Sequence, residues 1–151
     1  MLELTGDGEA LLVRAGHGFP PGVLGGVLSA EASELQGFAL GSDGPVIVED
    51  FAREQRFVPS PLHSELGVVS SLVASIGTPG GNFGVLGTHS RRRQHFSSDD
   101  AHFLQSLANV IGAAAERARH EEAVRDSEAR FRELANTAPA LMWMTDAEGD
   151  V

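Results

Sequence analysis

From Ser97 to Thr137 the chain carries no proline and a single glycine, Gly112. A helix start stands at the head of this run. Ser97-Ser98-Asp99-Asp100 offers Ser97 as an N-cap, a carboxylate three residues on, and acids in the first turn. Apolar residues follow at helical spacing: Phe103, Leu104, Leu107, Val110, Ile111 and Ala114. Asn136 and Pro139 supply the stop. At ~1.5 Å of rise per residue, about 40 helical residues reach roughly 60 Å. That is more than the outer helix of a small sheet domain needs. A helix of this length is expected to leave one domain and enter another, as in a relay module.

Ahead of the helix the pattern is that of strands. Leu2-Glu3-Leu4 and Glu9–Ala15 read as a hairpin around Gly6-Asp7-Gly8. Residues 16–26 are rich in Gly and Pro and read as a loop, and Ala32–Leu40 as a short helix. Gly44-Pro45 restarts the chain into the strand Val46-Ile47-Val48. Phe51–Gly67, with Pro59 and Pro61, reads as irregular with one helical turn. Val68–Ile76 is a buried strand that turns at residues 78–82 and pairs back through Phe83–Ser90. After the helix, Leu141–Thr145 is expected to be a strand and Asp146–Gly149 a turn. The first strand begins at Met1 and the last has no partner, so a piece of a longer polypeptide is expected.

Composition narrows the chemistry. The 151 residues are 42% hydrophobic and 21% charged, an ordinary globular balance. The net charge of -10 disfavours nucleic acid and anionic lipid as partners. Cysteine is absent, which removes disulfides, thiol catalysis, thiolate metal sites and thioether-linked chromophores. Apolar stretches fall far short of the ~20 residues of a membrane-crossing helix. The N-terminus lacks the layout of a signal peptide, and the cytoplasm is the expected compartment.

In combination these segments resemble the GAF domain of bacterial sensor proteins. The residues that carry the resemblance are Gly44–Asp50 as central strand and acidic exit, Arg56-Phe57 as the short anchor after it, and His63–Ser71 as the approach to the next strand. Phe83-Gly84-Val85-Leu86-Gly87 and Phe96–Leu104 complete it. Arg125–Val151 resembles the start of a PAS domain through Ser127–Arg132, Ala138-Pro139-Ala140 and Trp143–Gly149. The resemblance implies an α/β chain of the α+β kind: a mostly antiparallel GAF-like sheet, then a long C-terminal helix leading into a truncated PAS domain. The expected division is residues 1–118 as a GAF domain lacking its first helix, 119–127 as connecting helix, and 128–151 as the PAS start. It further implies a regulatory segment of a sensor histidine kinase or a cyclic-di-GMP enzyme, with no catalytic residues of its own.

GAF domains hold small molecules in a pocket over the sheet. On that resemblance the pocket here would be faced by Asp50, His63, Ser70 and Ser71 and walled by Phe38, Phe57 and Leu66. The ligand is left open, although covalent bilin attachment and sulfoxide reductase chemistry both want a cysteine. No metal site is expected. His89, His95 and His102 fall on a strand, a turn and a helix without the i, i+4 spacing of a zinc helix, and read as surface histidines. His120-Glu121-Glu122 lacks the continuation of a phosphoacceptor motif, and Arg91-Arg92-Arg93 reads as a solvated turn. Along and beside the charged stretch Glu116–Glu133, a weak seam of Ala114, Ala118, Val124, Phe131 and Leu134 fits a parallel homodimer contact. The alternative to a ligand-driven sensor is a ligand-free dimerisation and spacer module.

Overall fold

The computed structural model describes residues 1–137. The expected strand Leu141–Thr145 and its turn lie outside the described residues. The chain divides into two compact units, Met1–Ala115 and Glu116–Val151.

The first unit is built on a six-stranded sheet. In chain order the strands are β1 (Leu2–Leu4), β2 (Ala10–Val13), β3 (Val27–Ser29), β4 (Val46–Val48), β5 (Ser70–Thr78) and β6 (Gly81–Ser90). They lie in the order β3-β2-β1-β6-β5-β4, and every pairing between them is antiparallel. The sheet is thus two three-stranded meanders joined along β1 and β6. β3 follows Gly25-Gly26, and its three residues are too few to show a periodic signal. Between the strands lie α1 (Leu35–Leu40), a single 3₁₀ turn at Phe51–Arg53, and α2 (Pro61–Glu65). Arg56 anchors the irregular segment: its guanidinium donates to Glu54 and to the Ile47 carbonyl (2.8 Å), and lies over the rings of Phe38 and Phe57.

Side chains alternate across a strand, so each strand feeds two layers. Val73 of β5 and Val85 of β6 join Leu11, Leu35, Ala39, Val46, Val48 and Phe57 in a core beneath α1. Leu72, Ala74 and Ile76 point the other way and pack with Leu104 and Ala108 of the last helix.

That helix, α3, spans Ser98–Thr137 without a break. Its cap is the expected one. Ser97 Oγ accepts from Asp100 N at 3.1 Å, and Asp100 Oδ2 accepts from Ser97 N at 2.8 Å, a reciprocal box. These bonds hold the Asp100 carboxyl below its usual range. The one glycine of the run has a packing reason. Gly112 is buried, and a Cβ built on it would collide with the backbone carbonyl oxygen of Gly77 at the end of β5. Gln105 Nε2 donates to the Ser75 carbonyl at 3.3 Å, so α3 and β5 also meet through hydrogen bonding.

In a solvated helix, Gly→Ala gains ~1 kcal/mol. At Gly112 the sign should reverse, because overpacking against backbone costs ~1–3 kcal/mol. Gly112→Ala is expected to lower the urea midpoint and stability by about 1–2 kcal/mol. A stabilised variant would mean that α3 is not seated on Gly77.

Candidate functional site

The site begins at a capping serine. Ser60 precedes Pro61, a residue suited to the first helical position, and Ser60 Oγ accepts from His63 N at 3.4 Å. The same hydroxyl lies 3.0 Å from His63 Nδ1. Capping α2 therefore also fixes the His63 ring, which is buried and tilted against Phe51 at 5.4 Å. Its other nitrogen, Nε2, meets the Gln36 amide nitrogen at 3.3 Å. Gln36 sits in the first turn of α1, fully buried, and its Oε1 has no hydrogen-bond partner among the described residues.

A second histidine comes from the sheet. The hairpin register sets Ser71 opposite His89, and Ser71 Oγ lies 2.8 Å from His89 Nδ1. The His89 ring stands 4.9 Å from that of His63, at an interplanar angle of 59°. Gly87, two residues back on the same face of β6, leaves room for the ring: a Cβ there would come within 3.1 Å of His89 Nε2.

His63, His89 and Gln36 line one wall of a cavity of about 460 Å³, within the range of small-molecule sites. Leu28, Leu62, Leu66 and Val68 give it apolar walls, and the Gly16–Phe19 loop supplies another side with His17 and Phe19. Arg91 also lines it, its Nε donating to the Leu66 carbonyl at 2.9 Å. Among the described residues, no Asp or Glu lines it. Burial lowers the pKa of His63 from 6.5 to about 4. Burial first, then the nearby His63, lowers that of His89 to about 3. Both rings are neutral at physiological pH.

Of the residues expected at a pocket, the structure sets His63 and Leu66 on this cavity. Phe38 and Phe57 pack together at 5.0 Å in or against the core beneath α1. Asp50 caps the 3₁₀ turn by accepting from Ala52 N. Ser70 donates to the Arg92 carbonyl, and Ser71 reaches the cavity only through His89. His89 is a correction: it is an inward-facing residue beside His63 and no surface histidine. The signal was available, because Val85, Gly87 and His89 share one face by strand alternation. His95 and His102 are exposed, His95 at 2.7 Å from Glu49. Gln36 carried no motif, and only its position in a short apolar helix hinted at it. On α3, Ala114, Ala118, Val124 and Phe131 are all exposed. Among the described residues no helix is long and apolar enough to cross a membrane.

A family model described as GAF domain matches residues 2–115. No curated protein matches the chain. Solved structures with a similar fold include the GAF domain of a phosphoenolpyruvate-protein phosphotransferase from Coxiella burnetii. It is 21% identical with a TM-score of 0.68, over 81% of this chain and 73% of that one. The GAF domain of the Acinetobacter phosphoenolpyruvate-protein phosphotransferase is 20% identical with a TM-score of 0.66, over 80% and 71%. A domain of a two-component sensor histidine kinase protein from Sinorhizobium meliloti is 18% identical with a TM-score of 0.64, over 82% and 81%. At these identities the likeness is one of fold.

The neutral rings make stability depend on pH. In the unfolded chain each histidine takes a proton near pH 6.5; in the fold His63 and His89 resist it down to about 4 and about 3. The unfolded state therefore binds more protons below pH 6.5. Their contribution is fully present above pH 6.5 and is lost as pH falls toward 4. Urea melts should show a loss of about 2 kcal/mol for each ring, about 4 kcal/mol for the pair, between pH 7.5 and pH 5, at a ceiling of ~1.4 kcal/mol per pH unit for each ring. A double His63→Gln, His89→Gln variant should give a flatter profile; a wild-type profile flat across this window would refute burial of the pair.

Proposed function

Since this chain belongs to the GAF domain family, a family of sensory and regulatory modules, we propose that it senses a small molecule for a bacterial signal-transduction protein of the two-component or cyclic-di-GMP kind. In this reading residues 1–118 sense, 119–127 connect, and 128–151 open a PAS domain. Output belongs to a histidine kinase or cyclic-di-GMP enzyme domain elsewhere in the parent protein.

The observation that carries the reading is that one strand pair serves both the cavity and the helix. His89 and its partner Ser71 stand on the cavity side of β5 and β6. The intervening residues of β5, Leu72, Ala74 and Ile76, pack on α3 from the other side. A ligand that favours one placement of His89 favours one placement of the strands, and α3 rests on those strands. Ligands shift such equilibria by their differential affinity for the two states.

A second observation favours dimerisation as part of the mechanism. Phe103 (66% exposed), Val110 (67%), Val124 (58%) and Phe131 (72%) recur at steps of seven in α3, with Arg117 at the step between. Leu107 and Ala114 lie four residues on from the first two. Such a heptad stripe suits a parallel pair of helices in a homodimer. By itself the stripe would equally serve a ligand-free dimerisation spacer.

The two readings part on helical phase. One residue inserted near Glu122 turns everything after it by ~100°. Seven inserted residues nearly restore the phase. In the full-length protein, output activity should change sharply with one added residue and recover with seven. Equal output from both insertions would reject the transmitter and leave the spacer.

A further inference from the structure

Resting on the reading of this cavity as a ligand site, we infer that its ligand is a small organic acid: a carboxylate held by Gln36 and His89, the Gln36 amide oriented by His63, with an apolar body against the leucine and valine walls. The proton count of the buried cluster decides which of its polar groups are free. The oxygen and nitrogen of a glutamine amide interchange by a half-turn, so the hydrogen-bond network decides between them. With the amide nitrogen toward His63 Nε2, that ring must carry its proton on Nδ1. Ser60 Oγ then faces two donors, the ring and His63 N, and its own hydroxyl proton has no acceptor. With the amide turned, His63 Nε2–H donates to the Gln36 oxygen, the Ser60 hydroxyl donates to Nδ1, and Ser60 Oγ accepts from His63 N. Every group is then satisfied except the Gln36 NH₂.

His89 resolves the same way. Ser71 is fully buried, and its hydroxyl has the His89 Nδ1 as its partner. Donation from Ser71 places the ring proton on Nε2, which has no hydrogen-bond partner among the described residues. The two unspent polar groups of this wall are therefore both donors, and the buried one, at Gln36, costs ~1–3 kcal/mol while unpaired. An oxygen-rich group on the ligand would satisfy both.

Charge points the same way. Among the described residues the titratable groups lining the cavity are His17, His63, His89, Arg91 and the Met1 amine, and none is acidic. In a chain with 21 acids against 11 arginines, that is a segregation. The carboxylates Glu34 and Glu65 line a neighbouring hollow, which shares Val13, Val23, Leu28, Leu62 and Leu66 as walls. A cation would settle among those acids, and an anion on the histidine side.

Three probes of one shape test the class: 4-phenylbutyrate, 4-phenylbutyramide and 4-phenylbutylamine, titrated into the 151-residue chain while the ring resonances of His63 and His89 are followed by NMR. The carboxylate is expected to move both rings and to bind at least tenfold tighter than the amide or the amine. Gln36→Glu, which replaces the donor by an acceptor of equal size, should reduce that preference at least tenfold. Should this variant not fold, the wild-type titration decides alone. Equal or tighter binding of the amide or amine, with the rings moving, overturns the organic-acid assignment and leaves the cavity a ligand site. Rings unmoved by all three probes overturn the assignment and the ligand-site reading together.

Discussion

A strand buried on both faces gives the layers above and below it no independence, and β5 is such a strand. Ser71 and Val73 face the cavity and the core beneath α1, while Leu72, Ala74 and Ile76 face α3. Neither face carries a charge, and β6 and β4 close both of its edges. Interiors packed at crystal density transmit displacement without absorbing it. The position of β5 therefore fixes the helix seat and the His89 ring together, and the other elements of the first unit are arranged around that pairing.

The polar cluster is a place where this unit departs from good core design. Two imidazoles 4.9 Å apart are held neutral, and a glutamine amide atom lies buried without a partner. Apolar residues of similar size would fold as well and avoid the desolvation of three polar side chains. Breaches of local rules are expected where function requires them. The supporting shell is also specific. Ser60 and Ser71, both fully buried, each hold one nitrogen of one ring. A cluster oriented that closely suits recognition better than mere filling.

The sequence disclosed what depends on local rules. The Ser97–Asp100 box and the run free of proline located the start of α3 to within a residue. Strand alternation and the turn around Pro79-Gly80 located the β5–β6 hairpin. What it did not disclose depends on register and on which core a residue joins. Phe38 and Phe57, aromatic and near the expected pocket, pack on each other because Arg56 closes over both rings. His89 pairs with Ser71 across 18 residues of chain, and nothing short of the hairpin register brings them together. Gln36 contacts His63 across 27 residues, from a helix too short to show which face it buries.

The contact at Gly112 bears on how the proposed sensor could pass on a small change. Allosteric couplings are commonly 1–3 kcal/mol, too little to remodel a core. Contacts between side chains can take up a shift of a few tenths of an ångström by small rotations about their bonds. At Gly112 there is no side chain to rotate: helix backbone meets the Gly77 carbonyl directly. The bulge between Ile76 and Gly77 lies at the same place, where the β5–β6 ladder changes register. A displacement of β5 arriving there must move the helix or break the contact. In the proposed sensor, a rigid contact at the end of a two-faced strand would convert a modest preference in the cavity into a position of α3, without a continuous chain of altered side chains between them.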